Sequence, residues 1–297
     1  MSTFDQLYQN CRLCPHHCGI NRLSGERGIC RAPATPKIAK TMLHQWEEPC
    51  LSGTRGSGAV FFTHCNLKCV YCQNYRISQE DQGREISVEA LAEEFIKLQG
   101  QGAHNINLVS PTPYLPSLID SLILAKQIGL AIPVIYNTNG YELPEVIGRL
   151  NGLVDIFLPD LKYYSNSVAE RLSAAPAYFQ TATAAILTMF EQVGPPQFTA
   201  DNLMTRGLLI RHLVLPNHLE ESRAVLKWIR RSLPQSVYIS LMAQYFPTYQ
   251  AKHFTELNRC LTPQEYEAMV DYCLELGLEN GFTQEVAAAD ESYVPDF

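Results

Sequence analysis

The chain has no apolar run long enough to cross a bilayer: its longest stretches, 122–125 and 128–135, are short and separated by Lys126-Gln127. Its opening residues, MSTFDQLYQNCRLC, lack a basic segment followed by an apolar one, so no secretory signal is read there. Positive charge is scarce as well. Lys and Arg number 23 against 30 Asp and Glu, a net charge of −7, which argues against a phosphate-tracking surface and against nucleic acid as a partner. Internal repeats, low-complexity tracts, nucleophilic-serine signatures and phosphate-binding glycine loops are all missing. What is there is a globular composition: 297 residues, 46% hydrophobic and 18% charged, enough apolar chain for a sizeable core. The expectation is a cytoplasmic protein with no membrane contact, in a compartment that keeps thiols reduced.

In that setting ten cysteines need a reason other than disulfides. Cys50, Cys260 and Cys273 stand alone and read as inert thiols, Cys273 on the apolar stripe of a helix. The remaining seven fall into two groups. CNLKCVYC places Cys65, Cys69 and Cys72 in a polar loop directly after the strand-like run AVFFT. Three thiolates suit an iron–sulfur cube with one iron left open; a structural zinc would want four ligands, with His64 as the fourth. The second group, CRLCPHHC followed by NRLSGERGIC, gives Cys11, Cys14, Cys18 and Cys30, with Gly19, Gly25 and Gly28 allowing tight turns. Four thiols with this knuckle-like spacing read as a closed metal site, either zinc or a second iron–sulfur cluster, with His16 and His17 as substitute ligands.

CNLKCVYCQN resembles the cluster-binding loop of the radical S-adenosylmethionine (SAM) superfamily, in which three cysteines hold a 4Fe–4S cluster whose open iron takes the amino and carboxylate groups of SAM. The resemblance implies that Tyr71 lies against the adenine. It extends over about residues 56–247 and is closest to the branch named for pyruvate formate-lyase activating enzymes, which act on glycyl-radical proteins. EPCLSG, GSGAVFFTHCNLKCVYCQN, NINLVSPTPY and LIRHLVLPN together look like an uncharacterised subgroup of it.

The organisation of the chain agrees. From about residue 56, short apolar runs at 59–63, 105–109, 133–136, 154–158, 208–215 and 237–242 alternate with helical spacing. Ser87 caps a helix carrying Val88, Leu91, Phe95 and Leu98; further helices are predicted over 116–128, 143–150 and 177–192. Asn217 with Glu220 marks another helix start, and Thr262-Pro263-Gln264-Glu265 a capping box. The predicted fold is α/β, a partial (β/α)6 barrel over 56–247. A Cys-rich metal-binding segment precedes it over 1–55, and a helical extension with an acidic tail follows over 248–297. No Lys or Arg follows Arg259, while nine acidic residues do, which reads as a solvated acidic end.

In such barrels reactive residues sit at the C-terminal ends of strands. Ser110 and Thr112 stand where relatives often have a glycine-rich segment that meets the methionine amino group, and are candidate contacts in its place. NTNG resembles the DTNG-type segment of the glycyl-radical activating enzymes and puts Asn137 at the ribose, with Asn139 and Asn74 as further SAM contacts. Lys162 after the fourth strand and Arg211 on the fifth are candidates for contact with SAM or a substrate carboxylate; His212, beside Arg211, reads as structural.

Three functions compete at this level. One is a radical enzyme that acts on a protein glycine, the second a radical enzyme that acts on a small carboxylate-bearing molecule through Lys162 and Arg211, and the third a non-catalytic metal module. The resemblance also implies an electron donor such as flavodoxin or ferredoxin.

Overall fold

The short apolar runs become the strands of one sheet in the computed structural model, which describes residues 6–286, 289 and 295–297. They are β1 (Lys37–His44), β2 (Ser57–Phe62), β3 (Arg84–Glu85), β4 (Ile106–Val109), β5 (Val134–Thr138), β6 (Ile156–Pro159), β7 (Gln197–Phe198), β8 (Met204–Leu213), β9 (Tyr238–Met242) and β10 (Gly281–Thr283). Their order is β10-β9-β8-β6-β5-β4-β2-β1-β3, with β7 paired to β8. From β2 round to β10 every neighbouring pair is parallel. β1 instead runs antiparallel to β2, with His44 opposite Ser57. The arrangement is the open, partial α/β barrel the alternation predicts.

β2, β4, β5 and β6 are buried at every position, as a parallel sheet covered on both faces requires. Outside lie the helices Val88–Gly100, Leu115–Gln127, Tyr178–Val193, Leu219–Ser232 and Pro263–Glu275. Ser87 accepts from the Ala90 amide and so caps the first of these, whose Leu91, Ala92, Phe95 and Leu98 face the core. Thr262 and Glu265 form the predicted capping box. Inside, Leu51 and Cys50 pack on Ile135, Ile156, Leu158 and Leu209, so the segment after β1 fills the lower part of the lumen. Among the described residues no helix is long and apolar enough to cross a membrane.

Three features differ from the sequence reading. The sheet does not respect boundaries at residues 55 and 247, because β1 and β10 lie outside them and pair with β2 and β9. Both strands are short on alternating apolar signal, and it is their sheet partners that fix them. The helix Asn166–Ser173 was not foreseen. Asn217 does not cap the helix Leu219–Ser232; its amide donates to the Glu256 carbonyl and its side-chain oxygen accepts from Arg259.

Candidate functional site

The loop leaving β2 carries Cys65, Cys69 and Cys72, and its fold is set by neighbours on three sides. The Lys68 and Val70 amides donate to the Ser173 and Leu172 carbonyls, tying the loop to the end of the helix Asn166–Ser173. Asn66 donates to the Tyr141 carbonyl at 2.7 Å, and the His16 ring bonds the Asn66 carbonyl at 2.8 Å. The sulfurs receive polar hydrogens. Asn139 Nδ2 lies 3.2 Å and the Leu67 amide 3.4 Å from Cys65 Sγ, and Ser173 Oγ donates to Cys69 Sγ at 3.0 Å. Cys72 Sγ lies 3.3 Å from Ser78 Oγ. Burial pushes the Cys65 and Cys69 thiols up to about 11, and each thiol of the trio feels the charge of another.

These residues fit a cluster. Donors aimed at cysteine sulfurs are the groups that hold and tune iron–sulfur centres. Among the described residues no three Cys, His, Asp or Glu side chains converge tightly enough to hold one metal ion. A cubane places its irons at separate corners, so its thiolates need not converge on a point. His64 is not a fourth ligand: its ring nitrogens are engaged by Tyr114 Oη at 2.7 Å and Asp81 at 2.9 Å. Burial lowers its pKa to about 4.

The N-terminal cysteines pack against the outer side of this loop through His16. Tight turns bring them together, with the Gly19 amide on the Cys11 carbonyl and the His17 amide on that of Cys14. A side chain at Gly28 would meet Cys18 Sγ at 2.7 Å, so only glycine leaves room for that thiol. Burial raises the pKa of Cys14 and Cys30, and each of these two also feels neighbouring thiols of the quartet. The spacing gives a single zinc ion there no support.

Other residues singled out in the sequence have the following places. Tyr71 is buried, its hydroxyl bonded to that of Tyr163 and its ring edge-on to Tyr245 at 5.9 Å, away from the cavity described below. Asn139 is a support for Cys65 and Asn66 rather than a free contact, its own oxygen accepting from the Tyr141 amide. The adjoining Gly140 is fixed by close approach, because a Cβ would stand 2.3 Å from the Asp160 carbonyl oxygen. Ser110, just after β4, lies in the left-handed region at a φ of 57°, where a glycine would sit without strain. His212 is buried between the Leu161 carbonyl and Ser222, a structural residue. Cys50 and Cys273 are buried, and Cys260 is exposed.

Thr112 leads to a residue the sequence reading missed. Its hydroxyl donates to Glu142 Oε1 at 2.6 Å, and Thr138 and Tyr136 donate to the same oxygen at 2.5 and 3.3 Å. Glu142 is fully buried with no cation beside it, and burial raises its pKa from 4.5 to about 7. Between those values the unfolded chain has released the proton that the folded chain keeps. Stability therefore falls as pH rises from about 4.5 to 7, by about 3 kcal/mol for a shift of this size. Glu142→Gln should flatten that slope in denaturant titrations between pH 5 and 7.5; an unchanged slope would show that the carboxyl is not protonated.

Below the cysteine loop a cavity of about 370 Å³ runs along the strands, lined at one end by Gln73 and Asn74 and farther in by Asn137, Arg211 and Ser240. Its charges are arranged around Arg211. The guanidinium meets Asp160 at 3.1 Å, Glu47 at 3.2 Å and Asn137 Oδ1 at 2.7 Å, while Lys162 pairs with the other Asp160 oxygen at 2.6 Å. Asp160 is held below its usual range by Lys162 and Arg211, which outweigh its burial. Asn137, Lys162 and Arg211 are thus brought into one network, but both cations are already matched by carboxylates of the chain.

A parallel partial barrel with three thiols on the loop after its first parallel strand defines a cluster-binding α/β barrel. The Radical SAM superfamily model matches residues 59–229, and the chain belongs to that superfamily. The uncharacterised protein MJ0674 of Methanocaldococcus jannaschii is 32% identical over 282 residues, 92% of this chain and 77% of that protein. MJ0808 of the same organism is 29% identical over 169 residues, 51% of this chain and 49% of that one. Among solved structures, SuiB of Streptococcus suis bound to S-adenosylmethionine superposes with a TM-score of 0.52 at 12% identity, covering 75% of this chain and 48% of that one. HydG of Carboxydothermus hydrogenoformans, an FeFe-hydrogenase maturase, gives 0.52 at 13%, covering 78% and 54%. The likeness is one of fold, and the chain spans about half the length of these solved proteins.

Proposed function

We infer that this protein cleaves SAM reductively at a 4Fe–4S cluster held by Cys65, Cys69 and Cys72, and turns the resulting radical on a small molecule that enters the barrel cavity. The observation that carries this reading is the trio of half-buried thiols, each with a polar neighbour, at the mouth of a parallel barrel with a cavity beneath them. Bound there, the cluster would supply the electron that splits the C5′–S bond, giving methionine and a 5′-deoxyadenosyl radical that removes a hydrogen atom from the substrate. The chain's own part is positional. Asn139 and Ser173 orient two of the thiols, Asn74 and Asn137 border the cavity, and the filled lower lumen excludes bulk water. A walled cavity supports a small substrate over a glycine of a folded protein, and the paired state of Lys162 and Arg211 speaks against a carboxylate as its recognised group. A flavodoxin or ferredoxin is the proposed electron donor. The test is anaerobic: reconstituted, dithionite-reduced protein should form 5′-deoxyadenosine from SAM, and failure to form any would refute the reading.

The N-terminal quartet Cys11, Cys14, Cys18 and Cys30 is proposed to hold a second metal group, zinc or a second iron–sulfur cluster. Cys14→Ala should lower metal content and solubility; unchanged iron, zinc and sulfide per chain would refute this site.

A further inference from the structure

The cavity floor carries a carboxyl group with one oxygen unpartnered among the described residues. Glu48 lies in the segment that follows β1, and because β1 runs antiparallel to β2 this segment reaches the lumen from the ends of the parallel strands opposite the cysteine loop. Glu48 is 8% exposed and lines the cavity, and its Oε2 has no hydrogen-bond partner among the described residues. Ser240 lines the same cavity, and its side chain favours the charged form of Glu48. Arg211, the nearest strong cation, lowers the Glu48 pKa through its charge, but its donors are taken, Nε by Asp160, Nη1 by Glu47 and Nη2 by Asn137. Lys162 is committed to Asp160.

Two more polar atoms nearby are unpaired. His44 Nδ1 borders the same cavity with no partner, and the Asn107 side-chain oxygen is orphaned while its nitrogen donates to Glu47 Oε1 at 2.8 Å. Burial lowers the pKa of His44, and Arg211 lowers it further, so its imidazole does not supply a charge for Glu48 at neutral pH. Among the described residues the charged groups around the floor are then Glu47, Glu48 and Asp160 against Arg211 and Lys162, one acid more than the cations. A buried carboxyl oxygen with no partner is unfavourable unless the group stays protonated or meets a donor. Burial does raise the Glu48 pKa. Every unpaired atom here either is an acceptor or can act as one.

We propose that Glu48, assisted by Ser240 and His44, is the recognition point for a cationic nitrogen, an ammonium or guanidinium group, on the substrate of this cavity. This rests on the cavity being the substrate site, and it names the substrate class: an amine- or guanidine-bearing small molecule, entered cation-first, with its far end toward the cysteine loop. Glu48 is a binding residue in this role and moves no proton or electron in the radical step.

The test uses the cluster-loaded protein with SAM present and four probes, n-butylammonium, methylguanidinium, butan-1-ol and n-butyrate, titrated by ligand-observed NMR. The two cations should bind at least tenfold more tightly than butanol and butyrate, a comparison that needs no variant. Glu48→Gln should remove that preference. Equal binding of all four probes, a preference for butyrate, or a cation preference that survives Glu48→Gln would overturn the proposal. So would competition between the cations and SAM, which would place Glu48 in the cofactor's own site. Formation of 5′-deoxyadenosine by the wild-type protein is scored separately: its absence would sink the radical reading, while the cation preference stands or falls on the titration alone.

Discussion

Cys69→Ala is expected to abolish 5′-deoxyadenosine formation, to below a hundredth of the wild-type rate. A cluster held by three thiolates has no spare protein ligand, and neither Ser173 nor His64 can take the place of Cys69. Ser173, whose hydroxyl donates to Cys69 Sγ, is a hydrogen-bond donor and a poor iron ligand, and His64 is locked between Tyr114 and Asp81. Iron and sulfide should fall together in the variant, while any metal at Cys11, Cys14, Cys18 and Cys30 remains. The assay is product quantitation from dithionite-reduced protein, alongside iron and sulfide analysis. A variant that keeps both product and iron would mean that Cys69 is not a ligand.

The second large effect is on stability. Arg211 is mostly buried and sits among Glu47, Glu48 and Asp160, so Arg211→Ala leaves three carboxylates facing Lys162 alone. Removing one partner from a buried charge network typically costs about 3–5 kcal/mol, because the remaining charges stay desolvated without compensation. For a chain of this size that corresponds to roughly 10 °C in melting temperature. The deficit should shrink on acidification, as the stranded carboxyls take up protons. Arg211→Lys should recover only part of it, since an ammonium cannot reach Asp160, Glu47 and Asn137 at once. Thermal unfolding of the variants at pH 5 and pH 7.5 reads all three expectations. A loss below 1 kcal/mol at pH 7.5 would show that the network is not a structural unit.

Much of the barrel was legible because its signals are local. The runs that become β4, β5 and β6 are largely apolar and buried at every position, which marks strands covered on both sides, and Ser87 and Thr262 announce helix starts through their own side chains. β10 was not legible: its three residues carry little pattern and are defined by their pairing with β9. The same division holds for the site. Cys65, Cys69 and Cys72 are close in sequence, so their spacing alone brings them together. Glu47 and Glu48 read as polar residues of a loop, and only folding carries them across the lumen to Arg211 and Ser240. Tyr71 and Asn139 were assigned from resemblance to contacts with SAM. In the fold, the hydroxyl of one goes to Tyr163 and the amide of the other to Cys65 and Asn66. A motif fixes which residues are near the centre, whereas their hydrogen-bond partners come from distant segments.

The central claim is that three thiols on the loop after β2 hold a cube with one iron open to SAM. Electron paramagnetic resonance of the anaerobically reconstituted, dithionite-reduced protein, recorded before and after adding SAM, tests it most directly. The predicted result is a reduced 4Fe–4S signal that changes shape on adding SAM and disappears when Cys65, Cys69 and Cys72 are all replaced by Ala. No signal on reduction, or a SAM-responsive signal that survives loss of all three cysteines, would contradict the account.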